Sequence, residues 1–344
     1  MPNSYIRLII EKNIPFVKGL LDEYATIQYL APEDITPKAV RECDGLMIRT
    51  RTRCDDALLA KSEVKMIATA TIGTDHIDLD YCAGRSITVV NAPGCNAPAV
   101  AQYVFASLLH TVNRPLAAHT IAVVGVGHVG SIVARWAKGF DMKVMLCDPF
   151  RQEAEGGDEW YSLDEVAAKA DIITFHTPLT REGAHPTFHM ADADFFAKCR
   201  RMPVIINTAR GPVIDTAALK EAKRLGQVGP LVIDCWENEP AIDLELLAST
   251  SIATPHIAGY SAEGKKRASQ MALDAITTFF MLPRVSVEGE IPPAPAGTVS
   301  KADVLATYDP VAETKALKAH PEDFEKMRNT NSLRTEVPEG HDPL

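Results

Sequence analysis

No apolar run in the 344 residues approaches the roughly 20 that a membrane-spanning helix needs. The first residues, Met1–Arg7, also lack the long apolar core of a signal peptide. Positive charge is scarce: 35 Lys and Arg face 45 Asp and Glu, for a formal net charge of −10. That balance argues against nucleic acid or an anionic membrane as the main partner. C-x-x-C spacing is absent as well. The seven cysteines (43, 54, 82, 95, 147, 199 and 235) are odd in number and scattered, which suits reduced thiols in a cytoplasm. What is present is a 37.4 kDa chain with 46% hydrophobic residues, enough for two domains with cores of their own.

The stretch Thr120–Pro149 reads as strand, glycine turn, helix and strand. Ile121-Ala122-Val123-Val124 is a β-branched run of the kind buried in a parallel sheet. It leads into Gly125-Val126-Gly127-His128-Val129-Gly130, a G-x-G-x-x-G. The first glycine makes the turn, the second lets the backbone approach a pyrophosphate, and the third lets helix and strand pack closely. A helix over Ser131–Phe140 points its positive end at the phosphates. A second strand, Lys143–Cys147, ends in Asp148, 18 residues after Gly130. An acid at that distance accepts hydrogen bonds from the adenosine ribose and disfavours the extra phosphate of NADP. The pattern predicts a dinucleotide site, with NAD as the cofactor.

Before this stretch the spacing predicts a small α/β unit: strands Ile6–Ile10, Gly45–Ile48, Lys65–Thr69 and Ile87–Asn91, and a helix over Pro15–Tyr24. Arg49-Thr50-Arg51-Thr52-Arg53 clusters positive charge at a strand end, reading either as a solvated loop or as an anion site. If that segment is extended, the three arginines share one face and Thr50 takes the other. Both faces cannot meet one anion unless the segment turns, so one of Arg49 and Arg51, together with Thr50, is expected near an anionic ligand and the others in solvent. The turn Ala70–Asp75 can form a nest of N–H groups for a carboxylate. A helix over Ala97–His110 is expected to bridge to the nucleotide domain. Beyond it, His176, His185 and His189 read as polar loop residues rather than metal ligands, and no metal site is predicted.

Three later strands each end in a charged side chain. Pro203–Ile206 runs into Asn207-Thr208-Ala209-Arg210, Leu231–Ile233 into Asp234 and on to Glu239, and Ser251–Ala253 into Thr254-Pro255-His256. Ligands of open α/β sheets bind outside the carboxyl ends of the strands, so Arg210, Glu239 and His256 should reach one rim. Such a set suits hydride transfer between a hydroxy acid and nicotinamide. His256 takes the hydroxyl proton, Glu239 orients the imidazole and raises its pKa, and Arg210 grips the carboxylate as a planar fork.

These segments resemble the D-isomer-specific 2-hydroxyacid dehydrogenase family. The resemblance is carried by Ala68–His76, Ala92–Ala97, Thr174–Leu179, Ile206–Gly211, Val232–Pro240 and Pro255–Lys265, and spans roughly residues 5 to 280. Pro93-Gly94-Cys95-Asn96 and His256-Ile257-Ala258-Gly259-Tyr260 with Glu263-Gly264-Lys265 resemble the branch acting on 4-phosphoerythronate in vitamin B6 biosynthesis. By this resemblance Arg210, Glu239 and His256 are catalytic. Gly125, Gly127, Gly130, Asp148, Thr177, Thr208, Ala209, Arg210, Asp234 and Gly259 face NAD. Thr50, Thr71 and Tyr260 match substrate positions, and Arg49 is the candidate taken from the arginine cluster for the phosphate, with the choice among Arg49, Arg51 and Arg53 left open.

The implied fold is α/β, a Rossmann-type doubly wound parallel sheet inserted into a smaller flavodoxin-like substrate domain. The expected parts are 1–92, 93–257 for the NAD domain, 258–284 with a return helix Ser261–Phe280, and a shortened tail 285–344. A homodimer is implied, although the family's C-terminal dimerisation domain is longer than this tail. Pro292, Pro293 and Pro295 mark a linker, and Asp323–Arg334 resembles a remnant of that domain. Gln102 stands where the family often has Glu, a change expected to matter little on a helix. The readings left open are a related dehydrogenase acting on glycerate, 3-phosphoglycerate or hydroxypyruvate, and an NAD-sensing scaffold without turnover.

Overall fold

The computed structural model describes residues 6–291, 293 and 296–338. It divides into two units, Met1–Asn96 with Ala262–Pro293 and Ala97–Ser261 with Ala294–Leu344. Each is built on a parallel sheet, as the sequence implied.

In the first unit β1 (Arg7–Glu11), β2 (Thr26–Leu30), β3 (Gly45–Ile48), β4 (Met66–Thr69) and β5 (Thr88–Val90) lie in the order β2-β1-β3-β4-β5. This is the flavodoxin-like order. Leu8 and Ile10 of β1 enter one core and Ile9 the other, so the strand is covered on both faces and reads as a continuous apolar run. The helix Ala262–Phe279 lies on the first of these cores through Ala268, Ala272, Leu273 and Ile276.

One local expectation fails here and one strand was missed. The segment Pro15–Tyr24 is a chain of turns, not a helix, because Phe16 (φ 65°) and Gly19 (φ 86°) adopt left-handed backbone. Ile14, Val17 and Leu21 are nevertheless buried, so the helix-like spacing is satisfied by turns. The edge strand β2 carries no uniform apolar run, Thr-Ile-Gln-Tyr-Leu, and was not foreseen.

In the second unit β6 (Thr120–Val124), β7 (Lys143–Cys147), β8 (Ile172–Phe175), β9 (Val204–Asn207), β10 (Leu231–Ile233) and β11 (Ile252–Ala253) lie in the order β11-β10-β9-β8-β6-β7. The order reverses between β6 and β8, which is where such sheets open a ligand crevice. Ile121 and Val123 face one core while Ala122 and Val124 face the other. The tail joins this unit rather than standing apart: Val299, Val304, Tyr308 and Val337 enter one core, Leu317 and Phe324 the opposite one. Of the linker foreseen before it, Pro292, Ala294 and Pro295 lie outside the described residues.

Candidate active site

The glycine turn follows β6 directly. Gly125 has φ 86°, and a Cβ there would meet the His176 carbonyl carbon at 2.8 Å and the Thr177 amide at 2.9 Å. Close approach thus sets Thr177 beside the turn. The helix His128–Gly139 begins three residues earlier than the sequence suggested, with Gly127 as its N-cap and no side chain capping it. Asp148 ends β7; its Oδ2 accepts from the Val126 amide at 2.9 Å and its Oδ1 from the Arg151 amide at 3.2 Å. It therefore ties the turn to β7 and caps the next helix.

The ends of β9, β10 and β11 present the three charged groups. Arg210 follows β9, and its guanidinium donates to the Ala209 carbonyl at 2.8 Å. Asn207, 1% exposed, shapes this loop: Nδ2 donates to the Arg210 carbonyl and Oδ1 accepts from the Ala209 amide. Thr208 Oγ1 lies 3.3 Å from His176 Nδ1. Burial drives the His176 pKa down to about 3, so this imidazole stays neutral. Glu239 meets His256 Nδ1 at 2.8 Å through Oε2 and 3.1 Å through Oε1, and Oε1 also accepts from the Trp236 amide. Burial pushes the Glu239 carboxyl up, but the His256 bond and charge and the Trp236 amide outweigh it, and the net shift is downward. Its charge thus favours folding above the ordinary carboxyl range, a contribution lost as pH falls through the lowered pKa. A carboxylate only accepts, so Nδ1 carries the proton and Nε2 is left for the reaction.

His256 has φ 57°, a left-handed backbone uncommon for histidine. The enclosed Asp234 holds this turn: Oδ1 accepts from the Ile257 amide (2.7 Å) and the Thr254 hydroxyl (2.7 Å), and Oδ2 from the Ala258 amide (3.0 Å). At 1% exposure it lies beneath the His256 loop, which it supports through these bonds. Among the described residues one group could converge on a metal, Cys235, Glu239 and His256, with ligand atoms within 4.8 Å. Burial pushes the Cys235 thiol well up, and its Sγ lies 3.4 Å from the Ala209 carbonyl oxygen. His185 meets Glu153 at an exposed site, and His189 meets Glu237 in a half-buried pair.

Thr50, Thr71 and Arg49 belong to the first unit. The segment after β3 turns rather than extending, the Thr52 amide reaching back to the Arg49 carbonyl at 3.4 Å, so the alternation expected for the three arginines does not hold. Buried Glu11 organises the turn by accepting from the Arg49 amide and the Thr52 hydroxyl, both at 3.0 Å. Arg53 pairs with Asp55 at 2.6 Å, and Thr50 and Arg51 are exposed. Thr71 Oγ1 lies 2.7 Å from Thr69 Oγ1 and donates to the Gly73 carbonyl. Tyr260 and Gly259 are half-buried in the second unit, beyond His256. One further residue there was not foreseen: Arg328 of the tail hydrogen-bonds Tyr260, and its charge acts on Glu239.

The sequence signature of the D-isomer specific 2-hydroxyacid dehydrogenase NAD binding domain matches residues 100–258. The erythronate-4-phosphate dehydrogenase of Bacteroides thetaiotaomicron is 47% identical over 341 residues, covering 96% of this chain and 97% of that protein. The chain belongs to the D-isomer-specific 2-hydroxyacid dehydrogenases. Within that family it is an NAD-dependent dehydrogenase of the erythronate-4-phosphate branch. The Porphyromonas gingivalis erythronate-4-phosphate dehydrogenase is 40% identical, covering 94% of this chain and 91% of that one. Among solved structures, D-lactate dehydrogenase from Aquifex aeolicus, complexed with NAD and lactic acid, superposes with a TM-score of 0.70. It is 28% identical and covers 80% of this chain and 95% of its own.

The dehydrogenase's own residues fit NAD. A Cβ on Gly127 would meet nothing within 4 Å, so the backbone there is open to a pyrophosphate, beside a helix N-terminus that no side chain caps. A Cβ on Gly130 would overlap the Gly125 carbonyl, which explains the third glycine of the motif.

Proposed function

We propose that this dehydrogenase oxidises 4-phospho-D-erythronate at C2 to 2-oxo-3-hydroxy-4-phosphobutanoate, the step that the resemblance assigns to vitamin B6 biosynthesis. Gly125, Gly127, Gly130 and Asp148, with Thr177, Thr208, Ala209, Arg210, Asp234 and Gly259, would hold NAD, which would supply the hydride acceptor for C2. The chain's residues supply the rest. Arg210 holds the substrate carboxylate, a planar fork against a planar acceptor. His256 removes the C2 hydroxyl proton through Nε2 while Glu239 fixes the ring through Nδ1. The 2.8 Å contact between Glu239 and His256 is the observation that carries this reading. Arg49 with Thr50 meets the phosphate, while Thr71 and Tyr260 border the substrate. We place the enzyme in the cytoplasm as a homodimer.

Substrate carrying deuterium at C2 tests the reaction itself. The reading requires one deuterium per turnover to appear in NADH, on C4 of the nicotinamide, together with a slower turnover if hydride transfer limits the rate. Unlabelled NADH would mean that oxidation takes place at another carbon.

A further inference from the structure

We propose that Arg334, in the C-terminal segment, is a positioning residue for catalysis: it clamps the backbone that presents His256. The peptides of Ile257 and Ala258 follow the catalytic histidine immediately. Their two N–H groups go to the buried Asp234 carboxylate. Their two carbonyls go to the Arg334 guanidinium, Nη1 to Ile257 at 3.2 Å and Nη2 to Ala258. A buried acid and a half-buried base, 100 residues apart in sequence, thus grip one dipeptide.

The socket around Arg334 shows that this is a built arrangement. Nη2 also reaches the Ala99 carbonyl at 2.9 Å, and Nε reaches Gln102 Oε1 at 3.2 Å. The guanidinium lies over the Tyr308 ring, 4.1 Å from its centroid. Gln102, fully buried, donates through Nε2 to Thr307 Oγ1 (2.7 Å) and the Thr335 carbonyl (3.0 Å). An amide is required there, since it must accept from Arg334 and donate twice to the tail, and an ionised Glu donates nothing. The substitution at position 102, read from sequence as of little consequence, is part of the clamp. Ser261, at the end of the same loop, donates to Glu336 at 2.6 Å and bridges to Arg334. Tyr103 carries the network back to Asp234, its hydroxyl 2.7 Å from Thr254 Oγ1, which donates to Asp234.

A left-handed histidine is held only where its surroundings over-determine it. Asp234 fixes the amides of 257 and 258; the Ile257 carbonyl accepts from the Tyr260 amide at 2.9 Å as well as from Arg334, and the Ala258 carbonyl accepts from Arg334. Because its planar fork also makes bonds to Ala99 and Gln102, lysine cannot reproduce it.

The role rests on the reading of His256 as the acid–base group, and the test separates the two. Arg334→Met and Arg334→Lys are compared with wild type and His256→Asn by amide hydrogen exchange, NAD titration and steady-state turnover. In Arg334→Met, exchange across residues 256–261 should rise while the glycine turn at 125–130 stays protected. NAD affinity should be preserved, and kcat should fall by about 10–100-fold, since a displacement of about 1 Å at a catalytic group costs that order. Methylguanidinium should restore part of the loss in Arg334→Met and none in His256→Asn. Arg334→Lys, which keeps the charge and packing, carries the test if the Met variant fails to fold, and its loss should be smaller and in the same direction. Unchanged exchange at 256–261 in the folded variants would overturn the clamp, whatever His256 does. Raised exchange with wild-type kcat would overturn the positioning role. Wild-type turnover in His256→Asn would overturn the catalytic reading instead.

Discussion

Replacing His256 by alanine is expected to lower kcat by about 10²- to 10⁴-fold, the usual contribution of a general acid–base, with NAD affinity retained. If His256 is the acceptor proposed above, the proton of the C2 hydroxyl then has none, whereas the glycine turn and Asp148 are untouched. Backbone strain complicates the alanine variant, because position 256 has φ 57°. Asparagine visits that region more readily and has no titrating ring nitrogen, so His256→Asn separates chemistry from backbone. Both variants should lose turnover to a similar degree. A large loss in alanine alone would show that strain, not proton transfer, was being measured. The checks are steady-state turnover and NAD titration on both variants.

Gly211→Ala is the second substitution with a large expected effect, although Gly211 touches no reacting group. Its hydrogen faces the Trp236 carbonyl and the Glu237 amide so closely that a methyl group would overlap both. Those are backbone atoms and cannot swing aside, so the Arg210 loop and the loop leading to Glu239 must part by about 1 Å, a displacement that can cost about 100-fold. We expect kcat/KM to fall by about that factor, mostly through KM if Arg210 holds the carboxylate. Overpacking should also cost about 1–3 kcal/mol of stability, visible as a lower Tm. A variant within a few-fold of wild type would show that the spacing of these two loops is not critical.

The features that sequence made legible are those repeated locally. Strands buried on both faces, such as Ile121–Val124, are uninterrupted apolar runs, and β9, β10 and β11 each lead into a segment with a charged side chain. The glycine turn carries its own spacing. Less was legible where two structures satisfy one pattern. Ile14, Val17 and Leu21 are spaced for a helix, yet turns through Phe16 and Gly19 bury them equally well. The arginine cluster at 49–53 could not show its turn, because that turn depends on Glu11, 38 residues upstream of Arg49. The resemblance assigns Asp234 to the cofactor, but its bonds to 254, 257 and 258, residues that follow a different strand, were not legible in the sequence. Least legible was the tail, whose Arg334 bonds Gln102 across 232 positions.

The central claim is a substrate with an anion at each end. Its most direct measurement is kcat/KM for 4-phospho-D-erythronate against D-erythronate, D-glycerate and 3-phospho-D-glycerate, with NAD at saturation. Charge-assisted bonds to phosphate contribute about 1.5–3 kcal/mol each, so removing the phosphate should lower kcat/KM by about 10- to 150-fold per bond lost. The account predicts that 4-phospho-D-erythronate exceeds D-erythronate and D-glycerate by at least that range and also outperforms 3-phospho-D-glycerate. Equal efficiency with D-glycerate would contradict it.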